Sequence, residues 1–588
     1  MPWGHTSGRQ IYTTAGKVDV AVADVINRPW LERYDEGVPH SLEYPSGTLV
    51  DVLRATAAER PAHPAVLFKG TTLSYATLDR LSTAFAATLA SDGVRKGDRV
   101  ALLLPNCPQF LIAQFGIWKA GGVVVAINPI YTEPELELPL RETGAEVLVA
   151  LTRLYSRAKA VQPRTRVRRI IATNIKEYLP PIVALLFTVF REKKEGHRVT
   201  LAPGDAWFSR QLAAGAGKPA PDVTVSAEDP AVILASGGTT GTPKGVVGAH
   251  RSYVQAGLQL RRWIEALCAP WVDRIMLPLP LFHVYANVGV QGMALMGRNP
   301  LALVPNPRDI DDVLATIRKV RPAFFTGVPT LFTALLNHPD VREGRADFSS
   351  IRVCFSGASA LMAETRRRFE ELTGGRIIEG YSLTEGMMAC VVNPVRGTVK
   401  TGSVGMPLPD VDVLIVDADD PARVLETEAV GELLIRAPQL MDGYWNNQRE
   451  TAIALRARPQ GGTWLHTGDL GYLDSDGYLF LVDRKKDLIK TSGYQVWPRE
   501  IEEVLAAHPD VLEAGVAGVP DPARGEVVKA WVVLRPGTAS TADDLRAWCK
   551  TRLAPYKVPA RVEFRNELPK SMVGKVLRRM LTASEPPA

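Results

Sequence analysis

Buried-strand and helix patterns alternate along most of the chain, and this alternation is the feature that most restricts its fold. A helical pattern at Tyr75 to Ala90 precedes the strand-like RVALLL at Arg99 to Leu104, a helix at Pro108 to Ala120 and the buried run VVVAI. The same order returns between LALV at Leu301 and a helix that starts at Ala360. Such alternation is typical of parallel sheets covered by helices. We therefore expect an α/β fold whose large N-terminal domain contains helix-covered, mostly parallel sheets.

The pattern changes twice towards the C-terminus. From about Val411 it consists of short strands and turns, including DSDG at Asp474 to Gly477, which predicts a hairpin turn in a β-rich lobe. The last part contains a helix, two strands and another helix, which predicts a small α+β domain. Because 588 residues exceed what one core accommodates, we predict a domain over 1–482, a hinge over 483–487 and a C-terminal domain over 488–588.

Composition restricts the class of protein. Hydrophobic residues make up 46% of the chain and charged residues 22%, which is typical of a globular enzyme. The net charge of +6 arises from 69 basic and 63 acidic side chains, a surplus too small to indicate nucleic-acid binding. The five cysteines are scattered and predict reduced core residues. The start has no apolar signal-peptide region, so we expect a cytoplasmic protein.

One apolar segment allows two interpretations. Ile182 to Phe190 reads IVALLFTVF and is followed by the charged run REKKEGHR. A short buried helix is one interpretation, and a helix that lies on a membrane surface is the other. The membrane interpretation is slightly favoured by four basic neighbours, Arg164, Arg166, Arg168 and Arg169. Residues 179–198 are therefore a candidate for peripheral membrane contact, at the inner face if the protein is cytoplasmic.

A glycine- and threonine-rich loop follows a buried strand in AVILASGGTTGTPKGVV. Glycines let backbone N–H groups approach anionic oxygens, and hydroxyls and an ammonium add donors, so the loop predicts phosphate binding. A nucleotide-binding loop of the Walker type is excluded, because Lys244 is followed by Gly245 rather than by Ser or Thr. A flexible surface turn is the alternative. The candidate phosphate ligands are Ser236, Gly237, Gly238, Thr239, Thr240, Gly241 and Lys244.

The loop SGGTTGTPKG resembles the signature of the adenylate-forming superfamily, which includes acyl-CoA synthetases, luciferases and peptide-synthetase adenylation domains. Further motifs of that superfamily follow in order, so the resemblance extends from about Thr48 to Arg579. These motifs are PLPLFHVYA (278–286), SGASA (356–360), EGYSLTE (379–385), HTGDLGYLD (466–474), DRKKDLIKTSGYQVWPREIE (483–502) and PKSMVGKVLRR (569–579).

The resemblance implies an ATP site. Tyr381 would offer a flat face to adenine, and Thr384 would place a hydroxyl near the α-phosphate. Glu385 would bind Mg²⁺ together with Ser236, since carboxylate oxygens suit this ion. Further ATP contacts would come from Gly357, Ala358 and Ser359 around adenine, from Ser382, and from Asp469 and Arg484 at the ribose. Taken alone, Asp469 is equally a turn residue and Arg484 a surface charge.

The resemblance also implies a mobile C-terminal domain. Lys575 would bind the acyl carboxylate and α-phosphate during adenylation, where a positioned ammonium stabilises developing charge. Lys486 would lie at the hinge about which the domain rotates before thioester formation. Gly493 would then form part of the tunnel for the pantetheine arm of CoA. His283 would be catalytic and form part of an aromatic gate, and a buried structural histidine is the alternative.

Two details indicate the acid. Phe282 is followed by His283 and not by the Asp that adenylation domains use to select amino acids. The Gly237-Gly238 pair and the apolar segment before Arg191 resemble long-chain fatty acid–CoA ligases. We expect activation of a medium- or long-chain fatty acid with ATP and transfer to CoA. A fatty acyl-AMP ligase that loads an acyl carrier protein, an aryl or short-chain acyl-CoA ligase and a non-catalytic nucleotide-binding protein are the alternatives.

Overall fold

A computed structural model describes residues 26–236, 243–357, 361–491, 494–521, 524–570 and 576–583. The strands within these ranges are β1 (Pro64–Phe68), β2 (Thr71–Ser74), β3 (Arg99–Leu103), β4 (Val123–Ala126), β5 (Val147–Leu151), β6 (Arg169–Thr173), β7 (Ala206–Trp207), β8 (Pro230–Ala235), β9 (Gly245–Ala249), β10 (Ile275–Leu277), β11 (Leu301–Leu303), β12 (Phe324–Gly327), β13 (Val353–Ser356), β14 (Arg376–Leu383), β15 (Met388–Val392), β16 (Ser403–Pro407), β17 (Asp412–Val416), β18 (Gly431–Arg436), β19 (Gly443–Tyr444), β20 (Leu455–Ala457), β21 (Thr463–Leu473), β22 (Leu479–Arg484), β23 (Ile489–Thr491), β24 (Tyr494–Val496), β25 (Val511–Asp521), β26 (Gly525–Leu534) and β27 (Arg561–Phe564).

The α-helices within the same ranges are α1 (Leu49–Glu59), α2 (Tyr75–Ser91), α3 (Pro108–Lys119), α4 (Glu133–Thr143), α5 (Tyr155–Val161), α6 (Pro181–Phe190), α7 (Phe208–Gly215), α8 (His250–Trp263), α9 (Gln291–Met296), α10 (Ile310–Val320), α11 (Pro329–Asn337), α12 (Pro339–Arg342), α13 (Ala363–Thr373), α14 (Gln448–Ala454), α15 (Pro498–Ala506), α16 (Ala542–Lys550) and α17 (Arg578–Thr582). Several of them begin at capping boxes, in which a threonine side chain and an acidic side chain satisfy the first N–H groups; Thr48 with Asp51 at α1 is one example.

The largest sheet is parallel at one end and antiparallel at the other. Its order is β17-β18-β21-β22-β16-β15-β14-β13-β12-β10-β11-β1-β2, and β20 pairs with β21. The strands from β1 through β11, β10, β12 and β13 to β14 pair in parallel, and the edge strand β2 pairs antiparallel with β1. The pairs from β14 through β15, β16, β22, β21 and β18 to β17 are antiparallel. The antiparallel end is the β-rich lobe that the sequence predicted.

A second sheet has the order β19-β9-β8-β4-β3-β5-β6-β7 and is parallel from β8 to β7. Its strands are almost fully buried, because helices cover them. Helix α3 lies entirely within the core, and its apolar side chains pack with those of α2. The carboxyl ends of the parallel strands point to a common edge, where crevices for ligands form in open α/β sheets.

The C-terminal residues form a third sheet, in the order β24-β23-β26-β25 with β27 beside β26. This sheet and helices α15 and α16 enclose a separate hydrophobic core around Ile489, Val516 and Leu545. A change of core between β22 and β23 is compatible with the predicted domain boundary, which stays a prediction.

The expected α/β class is confirmed. The DSDG hairpin also forms: the Gly477 N–H donates to the Asp474 carbonyl over 2.9 Å, and β21 and β22 pair on either side. All five cysteines are buried and free of disulfides. Ile182 to Phe190 forms α6 without a single buried residue, so the interpretation as a buried helix is wrong. Among the described residues, no helix is both long and apolar enough to cross a membrane.

Candidate functional site

A cavity of about 1170 Å³ lies where the two large sheets and the C-terminal segment meet. Residues that directly follow β8 and β14 reach it, as the carboxyl ends of parallel strands do in α/β proteins. Leu577 of the C-terminal segment also lines it. The polar side chains predicted from the sequence that line this cavity are Ser236, Lys244, His283, Ser382, Thr384, Glu385, Asp469 and Arg484.

The predicted phosphate loop has a rigid stem. The Ser236 N–H donates to the Lys244 carbonyl over 2.8 Å, and the Lys244 N–H donates to Ser236 Oγ over 3.0 Å. The Lys244 ammonium pairs with Glu450 and lies 4.8 Å from the centroid of the Tyr444 ring. Residues Gly237, Gly238, Thr239, Thr240 and Gly241 lie outside the described residues. The stem therefore places the Ser236 side chain and the Lys244 ammonium at the wall of the cavity.

Glu385 and Thr384 follow β14 at the opposite wall. The Tyr444 hydroxyl donates to Glu385 Oε1 over 2.8 Å, and burial together with this carboxylate raises the pKa of Tyr444. Thr384 is buried and Glu385 is half-buried. Because the Tyr444 phenol donates to Oε1, the Glu385 carboxylate is held in one orientation. Its other oxygen, Oε2, can serve as a ligand for a cation. Tyr444 comes from β19, a two-residue strand that the sequence did not reveal.

Asp469 and Arg484 form a cross-strand ion pair. They are directly opposite in the pairing of β21 with β22, and Arg484 Nε lies 3.0 Å from Asp469 Oδ1. The Tyr381 hydroxyl donates to Asp469 Oδ2 over 2.5 Å. Burial lowers the pKa of Arg484, but the negative charges around it together, with Asp469 contributing most, outweigh burial and raise the pKa overall. This carboxylate is held in a fixed orientation, and its remaining lone pairs can accept the two hydroxyls of a ribose.

Tyr381 differs from the expectation in one respect. Its side chain is only 7% exposed and does not line the cavity, so its hydroxyl, rather than its ring face, makes the contact that the structure shows. Burial raises its pKa well above the ordinary value, with a further contribution from Asp469. It is therefore a neutral donor that fixes the orientation of Asp469.

His283 lies at the far wall, beside the π-helix Tyr285–Val290. Its Nδ1 accepts the backbone N–H of Tyr285 over 3.3 Å, and burial lowers its pKa to about 4. The ring is therefore neutral at physiological pH and carries its proton on Nε2. The adjacent Tyr285 ring packs against Gly357, where an added Cβ would lie 2.9 Å from ring atom Cε1, so glycine permits this approach. Ala358 and Ser359 lie outside the described residues.

The site residues predicted near the C-terminus are Lys486, Gly493 and Lys575, and the structure describes one of them in part. Lys575 and Gly493 lie outside the described residues, and for Lys486 the structure describes the backbone, which belongs to the short 3₁₀ helix Lys485–Asp487. Arg578, which the sequence analysis missed, ties the end of the chain to this stretch. Its guanidinium lies 3.1 Å from Asp483, 2.9 Å from Asp487 and 2.8 Å from Glu502. The basic run in PKSMVGKVLRR was the available signal, although nothing in it identifies three partners.

Glu432 and Lys485 also line the cavity, and the sequence did not reveal them. Glu432 on β18 lies 3.2 Å from the Lys485 ammonium and 3.6 Å from His466 Nδ1. Burial raises the pKa of Glu432, but its hydrogen bond with His466 and the charge of Lys485 lower it overall. The ion pair of Glu432 with Lys485 joins the β-rich lobe to the predicted hinge.

One cavity therefore brings together Ser236, Lys244, Glu385 and the Asp469–Arg484 ion pair, a set of polar groups that suits a nucleotide. Residues 53–445 match the sequence model of the AMP-binding enzyme family, and residues 500–575 match that of the AMP-binding enzyme C-terminal domain. The chain therefore belongs to the AMP-binding enzyme family, and the predicted membership of the adenylate-forming superfamily is confirmed.

Relatives match almost the whole chain. A long-chain-fatty-acid–CoA ligase of Bacillus subtilis (strain 168) is 38% identical over 569 residues, which are 95% of this chain and 98% of the relative. A long-chain-fatty-acid–CoA ligase of Escherichia coli O157:H7 is 36% identical over 564 residues, again 95% of this chain and 98% of the relative.

Solved structures agree in fold. The anthranilate CoA ligase AuaEII in complex with anthranoyl-AMP superimposes with a TM-score of 0.79 at 27% identity, covering 92% of this chain and 98% of that chain. ATP-bound MatB from Rhodopseudomonas palustris superimposes with a TM-score of 0.78 at 27% identity, covering 92% of this chain and 99% of that chain.

Proposed function

We propose that this protein is an ATP-dependent fatty acid–CoA ligase that activates a medium- or long-chain fatty acid as an acyl-adenylate and transfers the acyl group to CoA. One observation carries the proposal: Asp469, oriented by Arg484 and Tyr381, shares a cavity with Glu385 and the stem of the phosphate loop. The relatives named as long-chain-fatty-acid–CoA ligases support the choice of acid.

The reaction has two steps, adenylation and thioester formation. A carboxylate oxygen of the fatty acid attacks the α-phosphorus of ATP, the bond to the β-phosphate oxygen breaks, and pyrophosphate leaves. The sulfur of CoA then attacks the acyl carbon, the thiol proton is lost, and AMP leaves with the former carboxylate oxygen. Asp469 and Arg484 hold the ribose in both steps, so the acyl-adenylate stays in place between its formation and the attack of the thiol on its acyl carbon.

Phosphate binding is assigned to the loop and to the residues after β14. Lys244 leaves its contact with Glu450 and neutralises the leaving pyrophosphate. The ATP phosphates attract the ammonium more strongly than Glu450 does, because they carry more negative charge than a single carboxylate. The Thr384 hydroxyl and Ser382 donate to the α-phosphate from the opposite wall. Donors in fixed positions stabilise the charge that develops on the phosphorus oxygens, which is the main contribution of proteins to phosphoryl chemistry.

Mg²⁺ fits the residues present. Proteins hold this ion through one or two carboxylates together with substrate phosphates, and no cluster of three or more potential ligands exists among the described residues. Glu385, with Oε1 engaged by Tyr444, would be the carboxylate ligand, and Ser236 would add its hydroxyl. When bound, the ion would neutralise phosphate charge.

We assign the change between the two steps to the C-terminal domain. Lys575 would contact the carboxylate and α-phosphate during adenylation, and rotation about Lys486 would replace it by the loop that contains Gly493. The ion pair of Arg578 with Asp483 supports this assignment, because it links the two sides of Lys486 in one orientation. This ion pair must break or rearrange if the domain rotates.

The catalytic cycle is proposed to take place in the cytoplasm, at the inner face of the membrane, where fatty acids partition. His283 and Tyr285 would form the wall next to the acyl group, and the neutral imidazole adds no charge to that part of the cavity.

The test is a product assay with purified protein, ATP, Mg²⁺ and a chain-length series of fatty acids and aromatic acids. We expect acid-dependent pyrophosphate release with the highest kcat/KM for medium- or long-chain fatty acids, and acyl-CoA formation when CoA is added. A preference for aromatic acids would assign the protein to the aryl-CoA ligases. Acyl-AMP that is not converted by CoA but is converted by an acyl carrier protein would change the acceptor.

A further inference from the structure

Helix α6 lies on the surface, attached through one face. Ala184, Phe187 and Thr188 are its half-buried residues, at the spacing that places them on one side of a helix. The Phe187 ring packs edge-on against His197, with centroids 5.4 Å apart, and Lys176 donates to the Thr188 hydroxyl over 3.1 Å. The helix is therefore held to the protein along a narrow stripe.

A buried polar cluster fixes the end of this helix. Glu192 is 7% exposed and accepts from the Asn174 amide over 2.9 Å and from the Lys176 ammonium at 2.6 Å. His197 is 3% exposed, and its Nδ1 bonds to the Thr152 hydroxyl over 2.8 Å. A satisfied buried network of this kind holds a defined geometry, so the orientation of α6 is built into the fold.

The other face of α6 exposes large apolar side chains to solvent. Their exposed fractions are far above those of ordinary core residues and reach 75% at Ile182 and 69% at Phe190. Contiguous exposed apolar surface of this kind marks an interaction site. The six residues of this apolar face are Ile182, Val183, Leu185, Leu186, Val189 and Phe190.

Positive charge borders the apolar face at both ends. Lys193 and Lys194 are exposed just after the helix, and no carboxylate of the described residues forms an ion pair with either of them. At the other end the exposed Lys319 lies beside Pro180, since an added Cβ on Gly70 would contact both. Glu192 is already engaged by Lys176 and hidden from the surface. The exposed Glu195 next to Lys194 forms an ion pair with Arg191, so the lysines leave the border of the apolar face cationic.

We propose that α6 docks this protein on the surface of an anionic phospholipid bilayer, with the apolar face in the acyl boundary and Lys193, Lys194 and Lys319 at the headgroup phosphates. An apolar helix face with lysines at its margin is the pattern of helices that lie in the membrane interface. At ten residues the helix is about 15 Å long, half the thickness of a bilayer core, so it lies in the interface and does not span.

Charge distinguishes the bilayer from a second copy of this chain. A symmetric dimer through α6 would bring the lysines of both copies towards each other, which opposes association. An anionic headgroup layer attracts the same lysines. This inference rests on the proposed function in one respect only, since a fatty acid that partitions into the bilayer explains the benefit of such a position.

The experiment measures sedimentation of the full chain with vesicles of phosphatidylglycerol and phosphatidylcholine, and with vesicles of phosphatidylcholine alone. We expect binding to the anionic vesicles that weakens with salt. The triple variant Ile182→Ser/Leu185→Ser/Phe190→Ser should lose at least about tenfold in partitioning. Lys193→Gln/Lys194→Gln should bind more weakly and with less salt dependence, because each lysine near an anionic surface adds attraction.

Matched controls separate the apolar face from general surface hydrophobicity and from the catalytic proposal. Val272→Ser/Val430→Ser removes exposed apolar side chains elsewhere and should bind as the unaltered protein does. All variants should keep the unaltered rate of pyrophosphate release with a short, water-soluble acid. Sedimentation needs no catalysis, so vesicle binding remains measurable even if no acid is activated.

Three results would overturn the proposal. The first is unaltered protein that stays in the supernatant with anionic vesicles. The second is a triple variant that sediments as the unaltered protein does. The third is a lipid-free dimer that the triple variant converts to a monomer, which would assign the apolar face to a second copy.

Discussion

Replacing Asp469 by asparagine should remove the recognition of the ATP ribose. The carboxylate receives Arg484 Nε at 3.0 Å and the Tyr381 hydroxyl at 2.5 Å, and it is only 7% exposed. Asparagine has one acceptor oxygen and an NH₂ group that would face these donors. It therefore cannot accept from Arg484, Tyr381 and a ribose hydroxyl as the carboxylate does.

The magnitude follows from the bonds that are lost. A hydrogen bond to a charged group contributes about 1.5–3 kcal/mol, so the loss of one ribose bond should lower kcat/KM for ATP roughly 10- to 150-fold. The Arg484 guanidinium would also lose its ion pair with the Asp469 carboxylate, and weakening a buried ion pair lowers the folding stability.

The assay compares pyrophosphate release with ATP, 2′-deoxy-ATP and 3′-deoxy-ATP. The unaltered protein should discriminate against at least one deoxynucleotide, and Asp469→Asn should discriminate much less. Asp412→Asn is the matched control: Asp412 is similarly buried and pairs with Arg28 and Arg436, but it does not line the cavity. If Asp469→Asn discriminates between ATP and both deoxynucleotides as strongly as the unaltered protein, the assignment of Asp469 to the ribose is refuted.

Three further predictions concern the other parts of the site. Lys575→Ala should slow adenylation by orders of magnitude while thioester formation from preformed acyl-AMP continues, as paired single-turnover assays would measure; equal loss of both steps would contradict domain rotation. Glu385→Gln should raise the Mg²⁺ concentration needed for half-maximal pyrophosphate release at least about tenfold, because one anionic ligand is lost; an unchanged Mg²⁺ dependence would exclude Glu385 as a ligand. His283 has a pKa lowered to about 4, so an unfolded chain binds a proton there between about pH 6.5 and 4 when the folded protein does not. The free energy of unfolding should therefore decrease as the pH is lowered from about 6.5 to 4. Urea denaturation of His283→Asn should show a smaller decrease over this range; an equal decrease would mean that the histidine does not titrate as described.

The sequence predicted the fold class because its signals are local. Strand and helix patterns, the DSDG turn and the loop after β8 each depend on residues close together in the chain. The same holds for Thr384 and Glu385, which follow a strand whose carboxyl end lies at the cavity.

The pairing of Asp469 with Arg484 depends on a detail that local signals do not contain. Counting back from the hairpin turn, Leu473 faces Leu479 and Gly471 faces Leu481, and a regular ladder would place Asp469 opposite Asp483. An irregularity between Leu470 and Gly471 shifts the register by one residue. That bulge exchanges a like-charged pair for an ion pair, and bulges at functional sites often re-aim side chains in this way.

Other contacts were out of reach because their partners are distant in the chain. Tyr444 lies on the two-residue strand β19, which pairs with β9, and its hydroxyl donates to Glu385. Arg578 forms ion pairs with carboxylates of the predicted hinge and of α15. Side chains that meet across two sheets, or across a domain boundary, depend on packing that no short motif encodes.

The most direct test of the central claim follows an oxygen atom. A fatty acid labelled with ¹⁸O in its carboxylate is incubated with the protein, ATP, Mg²⁺ and CoA, and the nucleotide products are analysed by mass spectrometry. Activation through an acyl-adenylate predicts AMP that carries one ¹⁸O atom, together with unlabelled pyrophosphate. ADP as the product, or AMP without the label while acyl-CoA accumulates, would contradict the account.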